Sequence, residues 1–237
     1  MATSGQSSMD VVPQSGTFQN FLEKWTAQLR NDRVDLVSAI PDVSADHTGL
    51  IKRVMDHYEE YFRVKSYWAK QDVLLMFNPT WTSPLERAFS WIAGWRPILA
   101  IHLLYTLSGF QLGDLINEHG LNVPTDLIAL SPVQVAQMDE LHRRTVEEEK
   151  EISEEKGNVD MIVELDEERI ESAFRKKEEG LERVLRQADE LRLRTLKGIV
   201  EIVTPSQGVK FLVAAVDFQL GLHDWGRQME GNQPGGV

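Results

Sequence analysis

The residues best suited to acid–base or metal chemistry are six histidines and a large set of carboxylates. No two histidines lie three or four residues apart, so none forms a helical metal-binding pair. Asp139 and His142 are three residues apart, as in one half of a carboxylate di-metal site. Such a site needs a second helix of this kind, with glutamate, and two further carboxylates, and the sequence holds no second copy. We therefore interpret Asp139 and His142 as a surface pair, and predict neither a metal site nor a catalytic residue.

Other signatures of catalysis are missing from the sequence. It contains no G-x-S-x-G elbow, no P-loop, no G-x-G-x-x-G and no H-E-x-x-H. Because there is no cysteine, a thiolate nucleophile, a disulfide and a cysteine-based metal site are all excluded. Paired carboxylates fall in acidic runs that we expect to be exposed, where nothing would raise a pKa for acid catalysis. An enzyme is not predicted.

Two histidines differ from the others because they fall on apolar helix faces. One interpretation makes His102 and His223 core residues that hydrogen-bond to a backbone carbonyl or a hydroxyl. The alternative makes them axial ligands of haem, or polar partners of a lipid carboxylate, inside the core. The tryptophans that precede His102 are interpreted as core aromatics or, alternatively, as ligand-lining residues: Trp68, Trp81, Trp91 and Trp95.

Composition and charge restrict the class of protein. The chain has 237 residues, of which 42% are hydrophobic and 26% charged, as in globular proteins. Its net charge of −12 argues against binding to a phosphate backbone. The first 16 residues contain neither Lys nor Arg and do not resemble a secretory signal. The unbroken apolar run at 98–101 is far shorter than a bilayer requires, so no membrane span is predicted.

Apolar residues recur at helical spacing along most of the chain, and no segment alternates as a strand does. The first two helices are predicted over residues 17–40 and 46–76. A hydroxyl residue before proline marks three further helix starts, at Ser83, Ser131 and Thr204. Glycines mark expected helix ends, at Gly94, Gly120 and Gly157. The predicted fold class is all-α.

The last predicted helix, residues 205–228, is apolar over most of its circumference. One face carries Val209, Leu212, Val213, Val216, Leu220 and His223. The adjoining face carries Phe211, Ala215, Phe218, Leu222 and Trp225. Because such a helix is normally surrounded by other elements, we predict a single-domain helical bundle with a mostly buried C-terminal central helix. Its expected walls are residues 181–203 and 98–107.

The predicted domain covers residues 17–230, with disordered tails at 1–16 and 231–237. Residues 147–179 are dense in charge. We interpret them as a solvated helix pair joined by a mobile loop near Gly157 and Asn158. The alternative is an acidic docking surface for a basic partner.

Four sequence blocks together resemble the plant seed-dormancy control domain. The segment 188–226, which begins ADELRLRTLKGIVEIVTPSQG, resembles the end of that domain. Three earlier blocks resemble its other parts in the same order: FLEKWTAQL at 21–29, WIAGWRP at 91–97 and LHRRTVEEEKEIS at 141–153. The domain stands alone in Delay of Germination proteins and follows a basic zipper in TGA-type transcription factors.

The resemblance implies a non-enzymatic regulator that acts through protein–protein interaction. It points to abscisic-acid and seed-dormancy signalling or to transcriptional regulation in the plant nucleus and cytoplasm. Type 2C protein phosphatases or transcriptional co-regulators are the implied partners. A pollen-aperture role and a homodimer are left open. Because no basic region precedes the domain here, direct DNA binding is not expected.

The resemblance also implies specific site residues. In the stand-alone branch, phosphatase contact is associated with an N-terminal segment that aligns with Phe18, Phe21, Leu22 and Trp25; core anchoring is the alternative role for these side chains. Haem binding in that branch is associated with two histidines four apart in the last helix. Here His223 matches the second, but Gln219 occupies the first position. A single-histidine haem site, or a second ligand from His102, is left open.

Overall fold

The computed structural model describes residues 18–42, 44, 46–109, 128–161 and 170–231. Within these ranges there are eight α-helices and no β-strand, which confirms the all-α prediction. None of these helices is both long enough and apolar enough to cross a membrane. The helices are α1 (Phe18–Ala39), α2 (Thr48–Ala69), α3 (Val73–Phe77), α4 (Pro84–Ala88), α5 (Ile98–Leu107), α6 (Pro132–Asp160), α7 (Ile170–Ile202) and α8 (Pro205–Gly231).

Gly120 and the predicted tails at 1–16 and 231–237 lie outside the described residues, except for Gly231, which ends α8; the expectations for the rest stay predictions. The three helix starts marked by a hydroxyl residue before proline are confirmed. At α4, Ser83 Oγ accepts from the Glu86 amide at 3.2 Å, and the Glu86 carboxylate accepts from the Ser83 amide at 2.8 Å. The same reciprocal bonds join Ser131 to Gln134 and Thr204 to Gln207. Each of these reciprocal pairs is a capping box, and it satisfies backbone amides that the start of a helix would otherwise leave unpaired.

The structure corrects three predicted boundaries. The helix expected over 46–76 is divided into α2 and α3, because Asp72 Oδ1 accepts from the Leu75 amide at 2.8 Å and starts a new helix. Gly94 lies in a turn outside any helix, since α4 ends at Ala88.

Gly157 does not end a helix, and the predicted loop near Gly157 and Asn158 is wrong, because α6 continues to Asp160. Ile152 and Val159 are two turns apart on α6 and both are buried in the core. This burial offsets the roughly 1 kcal/mol by which a glycine weakens a helix interior.

The helices pack as antiparallel neighbours. Along α6 and α7, Val159 meets Gly180 at one end and Leu141 meets Gly198 at the other. The helix α8 runs antiparallel to α1, its most extensive partner, and ion pairs from Arg30 and Arg33 of α1 to carboxylates of α8 link the two. The walls predicted for α8, residues 98–107 and 181–203, do contact it, but less extensively than α1.

The core consists of two hydrophobic clusters that meet. The larger one joins α1, α2, α5, the start of α6, α7 and α8, and the smaller one joins the start of α1, the end of α2, α3, the second half of α6 and α7 as far as Leu191. Phe21, Leu22 and Tyr61 pack against both clusters and connect them. On α8, Phe211 and its neighbours are buried in the larger cluster. The predicted enclosure of α8 is incomplete in its C-terminal half, where Leu220 is buried but Phe218 and Trp225 are exposed.

Candidate functional site

An apolar cavity of about 500 Å³ lies where the two core clusters meet. Its inner wall comes from α1 and α2, its roof from α8, and one side from the segment between α3 and α5. This volume is in the range of pockets that bind small molecules. Representative lining residues are Phe18, Leu22, Trp25, Tyr61, Lys65, Trp81, Phe89, Ile92, Trp95, Leu99, Leu103, Phe218, Leu222 and His223.

The mouth of the cavity carries large apolar side chains that water reaches. Phe89 and Phe218 line the cavity and are 56% and 41% exposed. Leu222 also lines it, and Trp225 follows three residues later with 59% exposure. The spacing places Phe218, Leu222 and Trp225 on one face of α8. We call these four residues the apolar rim. Contiguous exposed apolar patches are uncommon on monomers and mark binding surfaces.

One side of the cavity is a tight turn over residues 91–94. The Trp91 amide donates to the Gly94 carbonyl at 2.7 Å, and the Gly94 amide donates back at 3.2 Å. The two central residues, Ile92 and Ala93, have φ angles of 45° and 52°. This left-handed conformation costs a non-glycine residue roughly 1–2 kcal/mol, and β-branched isoleucine is especially rare in it. Strain of this kind concentrates at functional sites.

The fully buried Arg192 of α7 holds this turn in place. Its Nη2 donates to the carbonyls of Trp91 and Ile92, the latter at 2.9 Å, and its Nε donates to the Trp95 carbonyl at 2.7 Å. Its guanidinium carbon also lies 5.4 Å from the centre of the Trp91 ring. One side chain therefore satisfies three carbonyls of the strained segment.

Lys65 of α2 supports the same turn. Its ammonium donates to the Ala93 carbonyl at 2.7 Å and to Asp189 Oδ1 at 2.9 Å, and that oxygen also accepts from Arg192. Lys65, Asp189 and Arg192 are all buried, and we call them the buried charge cluster. Burial lowers the pKa of Lys65 to about 8; Asp189 opposes this shift and Arg192 adds to it.

A second buried carboxylate fixes the segment that follows the turn. Glu149 of α6 accepts from Arg96 Nε at 2.6 Å and from the Ile98 amide at 2.7 Å, so it caps the start of α5. The sequence interpretation placed this glutamate on a solvated face, and that is wrong for Glu149. It lies three residues before buried Ile152, on the inward face of α6.

His223 lines the cavity beside a carboxylate. Its Nδ1 lies 3.1 Å from Glu86 Oε1, and this hydrogen bond raises the pKa of His223, while burial opposes the rise. Burial alone would raise the pKa of Glu86, but hydrogen bonds from His223 and Ser83 lower it. Gln219 also lines the cavity, and its Oε1 accepts from the Tyr58 hydroxyl at 3.3 Å.

His102 lies elsewhere and does not line this cavity. On α5, Leu99 and Leu103 face the cavity, while His102 faces α6, where its ring centre is 5.7 Å from that of His142. Burial, and then the charge of His142, lower the pKa of His102. A haem held between His102 and His223 is therefore inconsistent with this arrangement.

The predicted surface pair on α6 contacts α5. The Tyr105 hydroxyl donates to Asp139 Oδ1 at 2.6 Å, and the Tyr105 ring packs edge-on against His142. Across the described ranges, no three histidine or acidic side chains converge closely enough to hold a metal ion.

The N-terminal residues predicted to bind a protein partner lie mainly inward. Phe18 and Trp25 are buried, and the Trp25 indole donates to the His57 carbonyl at 2.9 Å. Phe21 and Leu22 are half-buried. In the isolated chain these side chains act as core anchors, and Phe18, Leu22 and Trp25 also form the inner wall of the cavity.

Sequence reasoning missed the buried charge cluster, although a signal for it was present. On α7, Asp189 and Arg192 follow Leu185 at spacings of four and seven residues, which places them on the apolar face. Charges on such a face are buried only when they are paired. That rule predicts a partner cation or anion from another helix, but not which one.

Comparison with known proteins identifies the family. Residues 26–106 match the family described as seed dormancy control, DOG1. The chain is 31% identical to Protein DOG1-like 4 of Arabidopsis thaliana, over 89% of this chain and 92% of that protein. Protein DOG1-like 3 of the same plant is 28% identical over 97% of this chain and 89% of its own length. Transcription factor TGA2 of Arabidopsis thaliana is 29% identical over 82% of this chain and 59% of its own length. The match to the family and the identity to Protein DOG1-like 4 over most of both chains show that the chain belongs to the seed dormancy control (DOG1) family.

Proposed function

We propose that this protein is a plant regulator that acts by binding other proteins, and that the apolar rim is its binding surface. The observation that carries the proposal is the position of Phe89 and Phe218, two large exposed side chains that line one apolar cavity, with exposed Trp225 two turns beyond Phe218 on the same face of α8. Interfaces derive most of their energy from such aromatic anchors and the pockets beside them.

The proposed partners are type 2C protein phosphatases in abscisic-acid and seed-dormancy signalling. Transcriptional co-regulators are the second class, supported by similarity to a transcription factor across most of this chain. A regulator of either kind would work in the nucleus and cytoplasm. The relatives named above carry the names of dormancy-family proteins and transcription factors, which supports a role without catalysis.

Phe18 and Trp25 have an indirect role in the proposed binding. Since they form the inner wall of the cavity, a side chain inserted by a partner would reach them after passing the rim. Replacing either residue with alanine also removes a core side chain, which typically costs about 3–5 kcal/mol of stability. Loss of binding in Trp25→Ala would therefore report on folding as well as on contact.

Surface variants separate these two effects. We expect Phe218→Ser and Trp225→Ser to keep the helical circular dichroism spectrum and to weaken binding to a purified type 2C phosphatase at least about 30-fold, as hot-spot residues do. Phe174→Ser, at an equally exposed phenylalanine on α7, is the matched control and should bind like wild type. Equal binding by all three variants would refute the rim as the contact surface.

The cavity favours a ligand-responsive sensor as a second candidate function, with haem or a lipid as the ligand. The haem version depends on His223, because it is the one histidine among the described residues that lines the cavity. Hemin titration tests it: a Soret shift that His223→Gln abolishes would support the haem version. A shift that His223→Gln leaves unchanged would place the haem elsewhere.

A further inference from the structure

Ser90 follows the rim residue Phe89 and has an arginine three residues before it, Arg87. One large class of protein kinases selects an arginine at this spacing, because an acidic pocket of the kinase pairs with its guanidinium group. The same spacing occurs before three other hydroxyl residues of the sequence: Ser66, Ser172 and Thr195. The sequence alone therefore gives four candidate phosphorylation sites and does not distinguish among them.

The structure makes three of these four sites poor targets. A kinase binds the segment around its target in an extended conformation, so the target must be exposed and able to leave regular structure. Thr195 is buried within α7, and Ser66 is half-buried within α2. Ser172 is exposed but lies in the first turn of α7, and three of the five residues before it are acidic. Such acids repel the pocket that binds arginine.

Ser90 differs from these three because it lies outside the helices, between the end of α4 and the strained turn at 91–94. Residues 87–90 are all exposed. The Ser90 amide donates to the Arg87 carbonyl at 3.2 Å, and Arg87 Nη1 donates to the Thr82 carbonyl at 2.6 Å. Since α4 has only five residues, it holds its last turn weakly. A kinase could therefore extend residues 87–90 at little cost in free energy.

We propose that Ser90 is a phosphorylation site for a protein kinase that selects Arg87. The Ser90 hydroxyl oxygen attacks the γ-phosphorus of ATP and forms a new P–O bond, and the bond from that phosphorus to ADP breaks. The hydroxyl proton passes to the catalytic aspartate of the kinase. The product carries close to two negative charges at pH 7. Arg87, three residues away, is a cation that can then pair with the phosphate.

A phosphate on Ser90 would weaken binding at the apolar rim. Ser90 lines the cavity next to Phe89, and Glu86, one turn earlier, already places a carboxylate in the lining. A partner that covers Phe89 would have to remove water from the new dianion, which is costly beside an apolar contact. This consequence rests on the proposed function of the rim, whereas the phosphorylation of Ser90 does not.

Mass-spectrometric mapping of the folded full chain, treated with ATP and a calcium/calmodulin-dependent protein kinase that has this arginine preference, tests the site. We expect phosphate on Ser90 at an initial rate at least about 10-fold above that on Ser172. Arg87→Gln should slow the reaction at Ser90 at least about 10-fold, as loss of a charged pair does. Arg144→Gln, at an exposed arginine of α6, is the matched control and should leave the rate unchanged.

Three results of this mapping would overturn the proposal. They are an unmodified Ser90, a reaction at Ser172 as fast as that at Ser90, and equal rates at Ser90 in wild type and Arg87→Gln.

The effect on the rim is measured with a catalytically inactive type 2C phosphatase, which cannot remove the phosphate. We expect phosphorylated wild type to bind it at least about 10-fold more weakly than untreated wild type. Kinase-treated Ser90→Ala should bind as tightly as the untreated variant. Equal binding before and after complete phosphorylation would show that the phosphate does not regulate the rim. Absence of binding by untreated wild type would contradict the proposed function instead, and the mapping would still decide the site.

Discussion

The guanidinium group of Arg192 lies directly against Gly94, so that a β-carbon on residue 94 would be 2.8 Å from Arg192 Cζ. Only glycine permits this approach. The contact places the cation under the carbonyls of a turn whose central residues adopt left-handed φ angles. Strained backbone persists where its surroundings determine it strongly. The side of the cavity is thus shaped by α7, a helix about one hundred residues further along the chain.

Arg192→Met tests how much this clamp contributes. The change leaves three carbonyls without their donor and removes one of the two cations that pair with buried Asp189, and we expect a loss of about 3–5 kcal/mol of unfolding free energy. Arg194→Met is the matched control, because Arg194 is exposed and pairs with Glu148 at the surface, where a pair contributes about 0–1 kcal/mol. Urea denaturation measures both. Similar losses in the two variants would show that Arg192 does not hold the turn.

Ala93→Gly should stabilise the protein. Glycine adopts the φ of 52° at residue 93 without steric cost, and this gain exceeds the entropy lost on ordering glycine, leaving a net gain of up to about 1 kcal/mol. The same substitution within α5, Ala100→Gly, should instead destabilise by about 1 kcal/mol. Thermal denaturation gives the sign of each change. A destabilised Ala93→Gly would mean that the turn is not strained.

Gly226→Ala should destabilise the contact between α8 and α4. A β-carbon at residue 226 would lie 2.0 Å from Ser83 Oγ, the atom that caps α4, so the helices must separate or the cap must be lost. Overpacking of this kind costs about 1–3 kcal/mol. At Gly221 on the same helix nothing lies within 4 Å of an added β-carbon, so Gly221→Ala should gain about 0.5–1 kcal/mol. Opposite signs in chemical denaturation are the expected result.

The pair of His223 and Glu86 should make stability depend on pH. Its hydrogen bond raises the pKa of His223 above the usual 6.5, so the folded state holds the proton more tightly than the unfolded state. The stabilisation is complete below about pH 6.5 and is lost as the pH rises through the raised pKa. The stability deficit of His223→Gln relative to wild type should therefore become smaller as the pH rises above about 6.5. A deficit constant over this range would show that the two side chains are not coupled.

The fold class, the helix starts and the apolar faces could be predicted because local chemistry determines them. Ser83, Ser131 and Thr204 each cap a helix through residues only three positions away. The division between α2 and α3 was missed because Asp72 competes locally with a continuous apolar pattern.

The candidate site is assembled from distant segments, and sequence spacing does not report on such contacts. Lys65 of α2 contacts Asp189 of α7, which follows it by 124 residues in the sequence, and His102 of α5 contacts His142 of α6. The exposure of Phe218 and Trp225 was missed for a related reason. Helical periodicity shows that a face is apolar, but it does not show whether another element covers that face.

Photo-crosslinking from the rim tests the central claim most directly. A photoreactive phenylalanine analogue placed at Phe218 or Trp225 reports contact with a purified type 2C phosphatase without removing an apolar side chain. We expect a crosslink from both positions and none from the analogue at Phe174, the exposed control on α7. A crosslink from position 174 alone, or none from 218 and 225 while the complex is intact, would contradict the assignment of the rim as the partner-binding surface.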